Sequence, residues 1–255
     1  MLKLHDIEVF RDHRSILKLD QLHIATGQFT VILGHNGSGK STLINLLARQ
    51  LEPDSGHLQL HDKPLHSFNQ RAFARQIAYL PQRLPDVPGL TVRELVRLGR
   101  YPWRGLFGLW QEEDHKRVEE AMQQTDTAQY AEHLADSLSG GERQRAWIAM
   151  LLAQAAPMIL LDEPTSALDL GHQYQLLDLL HQLNREQGLG VVAILHDINL
   201  SCRYADRIIA LKQGRLFFDG KPEQLLDETR LSQLYDIGIQ LLPQPGQALP
   251  VAAVS

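Results

Sequence analysis

Apolar positions along this chain follow two different periods, and the change between them predicts an α/β fold. Residues 29–33, 157–161 and 191–195 are nearly continuous apolar runs. Such runs are typical of strands in a parallel sheet that helices cover on both faces. Along residues 41–48 and 146–153 the apolar side chains instead recur every three or four residues, which is typical of helices packed on a core.

Shorter elements are predicted around these runs. Further strands are expected at residues 2–9, 19–24, 57–60 and 77–82, a hairpin at 208–219, and helices at 67–75, at 172–187 and after Pro222. From Thr91 to about residue 155 the pattern is helical, with an aromatic, glycine-containing interruption at residues 101–110. Two S/T-x-x-E capping boxes, Thr91 with Glu94 and Ser139 with Glu142, mark helix starts in this region. The expected organisation is a core from residues 1–86 and 156–240, a helical subdomain from 87–155 and a C-terminal tail from 241–255.

The composition is that of an ordinary folded protein. The 255 residues are 44% hydrophobic and 22% charged, with a net charge of −5. This balance does not support nonspecific nucleic-acid binding, which shows a basic excess, so no nucleic-acid partner is expected. Cys202 is the only cysteine, which excludes an intrachain disulfide and favours a reducing compartment. No apolar run approaches the roughly 20 residues of a membrane-spanning helix.

One segment carries a specific chemical pattern. It reads Gly34-His35-Asn36-Gly37-Ser38-Gly39-Lys40-Ser41 and matches G-x-x-x-x-G-K-[ST]. In this pattern the glycines let successive N–H groups face phosphate oxygens, the lysine neutralises the β- and γ-phosphates, and the serine hydroxyl binds Mg²⁺. The four fixed positions arise by chance in roughly one chain in a hundred of this length. Because a predicted strand precedes the segment and a predicted helix follows it, we expect a nucleotide phosphate site.

Polar side chains follow the other predicted strands. Asp162 and Glu163 end one apolar strand, His196 and Asp197 end a second, and Gln82 ends a third. Ligands of open α/β sheets bind at the carboxyl ends of the strands. We therefore expect these residues to face the phosphate loop, and the glycine-rich start of the helix after Ser139 to be a second anion-binding helix end.

Taken in order over residues 2–240, these motifs resemble the nucleotide-binding subunits of ATP-binding cassette (ABC) transporters. The resemblance identifies residues 34–42 as the Walker A loop, Gln82 as the Q-loop glutamine, residues 139–142 as the signature, 160–163 as Walker B, 166–169 as the D-loop and His196 as the switch histidine. It implies the ABC ATPase fold: a P-loop NTPase core with a mixed sheet, N-terminal antiparallel strands and an inserted helical subdomain.

The resemblance also implies ATP and Mg²⁺ as cofactors and a set of site residues. The residues expected at ATP are Phe10, Gly34, His35, Asn36, Gly37, Ser38, Gly39, Lys40, Ser41, Thr42, Ser139, Gly140, Gly141 and Asp169. Those expected at the metal are Ser41, Gln82 and Asp162, and the catalytic ones are Lys40, Gln82, Glu163 and His196. Glu163 is expected to act as general base on the attacking water, which His196 orients. Phe10 is expected to stack on adenine; the alternative is a half-buried aromatic at a strand end.

Three segments narrow the resemblance. Residues 92–96, 99–103 and 139–148 resemble the ATPases of iron–siderophore importers, and among them those of ferric hydroxamate (ferrichrome) uptake. Ferric citrate, haem and vitamin B12 importers stay open as alternatives. The partners implied are a second copy in a head-to-tail dimer, a polytopic membrane permease docked around residues 82–103, and through it a periplasmic siderophore-binding protein. The implied location is the cytoplasmic face of the bacterial inner membrane, where the chain is peripheral.

Two other functions are open from the motifs alone. A soluble ABC-type ATPase without a transporter would carry the same loop, although chromosome and repair types insert long coiled coils between the positions of Lys40 and Ser139. A P-loop kinase would explain neither residues 138–142 nor His196.

Overall fold

The structure, a computed structural model, describes residues 1–104, 108–166, 168–244, 246 and 249–255. Among these residues the strands are β1 (Leu2–Arg11), β2 (Arg14–Ile24), β3 (Phe29–Leu33), β4 (Ser55–Leu60), β5 (Lys63–Pro64), β6 (Ile77–Leu80), β7 (Met158–Leu161), β8 (Gly190–Ile194), β9 (Arg207–Lys212), β10 (Arg215–Gly220), β11 (Ile239–Leu242) and β12 (Val251–Val254). The α-helices are α1 (Lys40–Leu47), α2 (Gln70–Ala74), α3 (Val92–Leu98), α4 (Tyr101–Arg104), α5 (Glu112–Gln124), α6 (Gly140–Ala153), α7 (Leu170–Gln187), α8 (Ile198–Tyr204), α9 (Pro222–Leu225) and α10 (Glu228–Tyr235).

The first compact unit comprises Met1–Ser67 and Gly190–Ser255. Its sheet runs in the order β5-β4-β1-β2-β10-β9-β3-β8. β1 pairs antiparallel with β2 and β4, whereas β3 pairs parallel with β8 and β9. Every residue of β3 and β8 is buried, as the continuous apolar runs predict. The sheet is therefore mixed, with N-terminal antiparallel strands, as expected.

The second compact unit comprises Phe68–Leu189 and is mainly helical. Its strands β6 and β7 pair in parallel, with Leu80 opposite Leu161. Both predicted capping boxes form here, at the starts of α3 and α6. The side chains of Arg100 and Asp114 form an ion pair in its interior. The functional division predicted at residues 87 and 155 stays a prediction, because compactness alone defines these two units.

Several elements differ from their predicted extents. β2 begins at Arg14, before the predicted residue 19, because it pairs along its length with β1 up to Arg11 opposite Arg14. The predicted interruption at residues 101–110 includes the short helix α4, and residues 105–107 lie outside the described residues. Strand β12 lies within the predicted C-terminal tail, where Val254 pairs with Ile239. Across the described part of the chain, no helix is long and apolar enough to cross a membrane.

Candidate active site

The loop of residues 34–39 joins the end of β3 to the start of α1 and holds a buried lysine. Lys40 is 5% exposed. Its Nζ donates hydrogen bonds to the carbonyl oxygens of Gly34 and His35, both at 2.8 Å. The loop therefore curls around the ammonium group, which places a fixed positive charge where the sequence pattern predicts phosphate.

Two glycines determine the shape of this loop. Gly34 has φ +142°, and a Cβ atom there would overlap the carbonyl oxygen of Leu211 and lie 2.6 Å from Ser38 Oγ. Gly39 has φ +101°, and a Cβ atom there would lie 3.1 Å from the carbonyl oxygen of Ile16. Side chains rarely adopt such backbone angles, so the curled loop requires glycine at both positions.

The start of α1 presents polar groups suited to an anion. Gly39 provides no side-chain cap, and the first turn of α1 contains no acidic residue. Ser38 Oγ is buried and has no hydrogen-bond partner among the described residues. His35, Asn36 and Gly37 form the exposed top of the loop, and Ser41 and Thr42 are half-buried at the helix start. An uncapped helix N-terminus, an unpaired buried hydroxyl and a fixed ammonium together fit a phosphate group.

His196 lies at the same edge of the sheet as this loop. β3 and β8 are parallel neighbours, with Ile32 opposite Ile194, so residues that follow the two strands emerge side by side. His196 is exposed there. The next residue, Asp197, caps α8 by accepting a hydrogen bond from the Leu200 N–H at 2.8 Å. His196 thus follows a buried strand, as the sequence predicts, and its role at a ligand stays a prediction.

The second unit holds the carboxylates. Asp162 and Glu163 follow β7, and Gln82 follows the adjacent parallel strand β6. The Gln82 amide Nε2 donates a hydrogen bond to Glu163 Oε2 at 2.6 Å. Asp162 is 5% exposed. Burial, and then the charge of Asp162, raise the pKa of Tyr79 to about 12. The structure thus brings Gln82 and Glu163 together. The residue before Glu163, the buried Asp162, acts on Tyr79 through its charge.

Helix α6, which begins within the predicted signature, has a tightly bonded N-terminus. Ser139 Oγ and the Ser139 N–H donate to Glu142 Oε2 at 2.7 and 2.9 Å, and the Glu142 N–H donates to Ser139 Oγ at 3.4 Å. The hydrogen bond from the Ser139 hydroxyl, then that from Tyr130, lower the pKa of Glu142 to about 2. Gly140 and Gly141 are the first two residues of the helix. The box fixes Ser139 and leaves the helix start without bulky side chains.

Asp169 acts as a helix cap in this structure. It accepts hydrogen bonds from the N–H of His172 at 2.9 Å and pairs with the imidazole Nδ1 of His172 at 2.8 Å. A Cβ atom at Gly141 would lie 3.6 Å from Leu168 Cδ2 and 3.7 Å from the His172 ring, so Leu168 of the predicted D-loop and His172 of α7 lie close to the start of α6. Within the predicted D-loop of residues 166–169, residue 167 lies outside the described residues.

Phe10 is 48% exposed at the end of β1. Its N–H donates to Asp54 Oδ2 at 2.7 Å, which fixes the backbone and leaves the ring on the surface. The contact with adenine stays a prediction. Sequence reasoning missed Tyr130, which bonds Glu142 from twelve residues away, and His172, which bonds Asp169 from three residues along the same helix start. Among the described residues, no cluster of three or more His, Cys, Asp or Glu is arranged to hold a metal ion.

Comparison with known proteins gives consistent matches. The sequence model of the ABC transporter family matches residues 17–166. The achromobactin transport ATP-binding protein of Dickeya dadantii is 44% identical over 225 residues, which cover 88% of this chain and 83% of that protein. The ferric enterobactin transport ATP-binding protein of Escherichia coli is 42% identical, over 90% and 85% of the two chains. The iron(3+)-hydroxamate import ATP-binding protein of Bacillus subtilis is 39% identical, over 93% and 88%.

Solved structures agree. An inward-facing structure of a transporter described as of the metal-chelate ABC type superposes with a TM-score of 0.85 and 25% identity, over 100% of this chain and 97% of that one. A dimeric bacterial ABC transporter cassette superposes with a TM-score of 0.78 and 33% identity, over 87% and 99%.

Proposed function

This chain belongs to the ABC transporter family, in which it is an ATP-hydrolysing subunit that powers an importer, and we propose that the cargo of this importer is a ferric siderophore. ABC cassettes form dimers and work with membrane permeases. The observation that carries the proposed chemistry is the buried Lys40, whose ammonium group the carbonyl oxygens of its own loop hold in place. A separate acid, Glu163, accepts a hydrogen bond from Gln82. The proposed location is the cytoplasmic face of the bacterial inner membrane.

Each residue has a distinct role in the proposed reaction. Phosphoanhydride hydrolysis depends on positioning and charge neutralisation more than on covalent help. Lys40 binds the β- and γ-phosphates with a charge that the loop carbonyls already hold in place. Glu163 accepts a proton from the attacking water, and the Gln82 amide fixes the carboxylate that does so. His196, at the sheet edge beside the loop, binds the γ-phosphate and orients that water.

The residues also fit Mg²⁺. Ser41, Gln82 and Asp162 offer a hydroxyl, an amide oxygen and a buried carboxylate, which are the hard oxygen donors that this ion prefers. When bound, Mg²⁺ supplies positive charge to the β- and γ-phosphates. In this proposal the Gln82 NH₂ group donates its hydrogen bond to Glu163, and the amide oxygen of the same side chain is the metal ligand.

Lys40→Ala and Glu163→Gln separate binding from chemistry. Lys40→Ala should raise the Kd for ATP at least about tenfold, because a charged hydrogen-bond donor is lost. Glu163→Gln should retain ATP binding and lower turnover by about 10²- to 10⁴-fold, the usual contribution of a general base. Calorimetric titration and phosphate release measure the two quantities, with Lys63→Ala on the exposed strand β5 as control. Wild-type turnover of Glu163→Gln would disprove the general-base role.

We propose a head-to-tail homodimer in which Ser139 of one copy binds ATP held by the other. The support is the open, glycine-containing start of α6 and the dimeric cassette that this chain superposes on. Mixing Lys40→Ala and Ser139→Ala proteins, each inactive alone, should restore one complete site per mixed dimer. The scheme would be contradicted if the complex of the permease with ATP-loaded Glu163→Gln chain contained only one copy of this chain.

The permease is proposed to dock around residues 82–103. Tyr101 and Trp103 are 49% and 40% exposed, while the Trp103 indole N–H donates to the Gln154 carbonyl oxygen at 2.7 Å. The hydrogen bond to Gln154 therefore fixes the Trp103 ring, and the exposed part of both aromatic rings is available to a partner, as in the aromatic anchors of protein interfaces. Arg97→Glu should reduce transport and leave basal ATPase intact, whereas Lys116→Glu on α5 should affect neither. Equal loss of both activities in Arg97→Glu would indicate misfolding.

Uptake assays decide the cargo. The names of similar proteins span ferric enterobactin, iron(3+)-hydroxamate and hemin, so this subunit supplies energy while other components select the cargo. We propose a ferrichrome-type hydroxamate, delivered by a periplasmic binding protein. A strain that lacks this subunit should lose uptake of radiolabelled ferrichrome and keep that of unrelated nutrients. Normal ferrichrome uptake with lost ferric citrate, haem or vitamin B12 uptake would reassign the cargo and leave the ATPase function standing.

A further inference from the structure

The C-terminal end of α10 contacts the phosphate loop. The rings of Tyr235 and His35 meet edge to face, with centroids 5.3 Å apart and an interplanar angle of 66°. His35 Nε2 lies 4.0 Å from Asp236 Oδ2. Two consecutive residues therefore contact the side chain of one residue in the exposed top of the loop.

Asp236 is held in place from the other side. It adopts φ +52° as the C-cap of α10, and Lys212 Nζ donates to its Oδ1 at 2.7 Å. The hydrogen bond and charge of Lys212, together with the charge of His35, keep the pKa of Asp236 below its usual value. Lys212 is the last residue of β9, directly after Leu211, whose carbonyl faces Gly34. The same strand end thus supports both the loop and the residue that contacts it.

The main chain of His35 links this contact to the phosphate-binding groups. Its carbonyl oxygen accepts hydrogen bonds from Lys40 Nζ at 2.8 Å and from the Ser38 N–H at 3.1 Å. Any movement of His35 therefore displaces the acceptor that fixes the Lys40 ammonium. A side chain anchored by Tyr235 and Asp236 restrains that movement.

The hairpin of β11 and β12 fixes α10 in turn. Ser232 Oγ and Glu228 Oε1, both on α10, accept hydrogen bonds from the N–H groups of Ile239 and Leu241 at 3.0 and 2.7 Å. On the other strand, the Asn199 side chain bonds both the N–H and the carbonyl of Ala252, at 2.8 and 3.1 Å. Asn199 lies on α8, which follows His196. The hairpin connects the helix that contacts the loop with the helix that follows the switch histidine.

We propose that Tyr235 and Asp236 are positioning residues for the phosphate loop: they hold His35, and through its carbonyl Lys40, in the geometry that binds ATP. They determine the affinity for ATP more than the rate of the bound complex, because they act through Lys40 on phosphate binding, whereas the water chemistry is assigned to Glu163 and His196. The proposal concerns ATP binding by this chain alone and does not depend on the cargo or the permease.

Tyr235 offers a matched pair of variants. Its hydroxyl is buried and lacks a hydrogen-bond partner in the described part of the chain, so only the ring serves His35. Tyr235→Leu removes the ring contact and should raise both the Kd and the KM for ATP about three- to tenfold, the range for an aromatic pair, with kcat within about twofold of wild type. Tyr235→Phe keeps the ring and should retain the wild-type KM. An unchanged KM in Tyr235→Leu, or a loss confined to kcat, would overturn the proposal.

A double-mutant cycle with His35 shows whether Tyr235 affects the Kd for ATP by positioning His35 or only by stabilising the fold. His35→Ala alone should raise the Kd for ATP as Tyr235→Leu does, and the double variant should bind no more weakly than His35→Ala, because both act through one contact. Should Tyr235→Leu fold poorly, Asp236→Asn, on the surface, serves in the same cycle and should also raise the Kd. Additive effects of His35→Ala with both partner variants would show that Tyr235 and Asp236 act only as packing, and would refute the proposal.

Discussion

Asp114→Asn should destabilise the helical unit by about 3–5 kcal/mol, because it leaves the buried guanidinium of Arg100 without its counter-charge. The Arg100 and Asp114 side chains are each 6% exposed, and Arg100 Nε donates to Asp114 Oδ1 at 2.9 Å. The N–H of Gln111 donates to the second oxygen of Asp114 at 3.1 Å, and Arg104 lies 3.8 Å from it. Arg100 also bonds the Ala153 carbonyl at 2.8 Å, so it cannot leave the interior without breaking a second contact.

The protonation of Asp114 gives this prediction a pH dependence. Burial alone would raise its pKa, but the hydrogen bond from Arg100, that from the Gln111 N–H and the charges of both arginines hold it below the usual value. A depressed pKa in the folded state contributes stability that is present above the unfolded value of about 3.9 and is lost as the pH falls through the folded value. The difference in stability between wild type and Asp114→Asn should therefore be full at pH 7 and shrink in acid.

Urea unfolding followed by tryptophan fluorescence measures the effect where it occurs. All three tryptophans, at 103, 110 and 147, lie in the unit Phe68–Leu189, so their emission reports on that unit. A loss of 3 kcal/mol corresponds to a Tm lowered by roughly 6–12 °C for a chain of this size. Glu113→Gln, which breaks an exposed ion pair with Arg117 on the same helix, is the control and should change stability by less than about 1 kcal/mol.

Replacing both partners tests the cause. Arg100→Met with Asp114→Leu removes both charges and should recover much of the lost stability, since the penalty comes from the unpaired buried charge and not from the missing bond. A single Asp114→Asn variant that unfolds at the same urea concentration as the Glu113→Gln control would refute this reasoning.

Three further predictions follow from the same structure. Gly34→Ala should abolish ATP binding, measured by titration calorimetry, because the added Cβ overlaps the Leu211 carbonyl; wild-type affinity would show that the loop has another shape. Thr91→Ala should cost about 1 kcal/mol in urea unfolding, through loss of the cap on α3, and leave the Kd for ATP unchanged. Cys202 is buried, and burial raises its pKa to about 12, so a thiol reagent at pH 8 should label unfolded chain and spare native chain, as mass spectrometry would show.

The features that could be predicted from sequence are those that neighbours in sequence determine. The phosphate loop needs its glycines and Lys40 within a few residues, and the capping boxes at Thr91 and Ser139 are completed three residues on. The continuous apolar runs of β3 and β8 predict buried strands from composition alone. For these elements local chemistry and the final fold agree, which is why the pattern was sufficient.

The features that could not be predicted depend on contacts between distant segments. Nothing near Asp114 in the sequence indicates that its partner is Arg100, and nothing near Asn199 indicates a bond to Ala252. Strand β12 forms because β11 pairs with it across a loop, which assigns order to residues expected only as a tail. The contact between His35 and Tyr235 joins residues at opposite ends of the chain, so the role of α10 becomes apparent only from the fold.

The backbone of Glu163 makes its side chain costly to keep. With φ +53° it lies in the left-handed region, which costs a residue other than glycine about 1–2 kcal/mol. Folding stability alone would therefore favour glycine or asparagine at this position, and only the general-base role proposed for Glu163 favours the acid. The proposed role predicts that, in a lineage that no longer needs the transporter, mutations at position 163 gain stability and end hydrolysis at once. Silenced descendants of this protein should then melt at a higher temperature than their working ancestor.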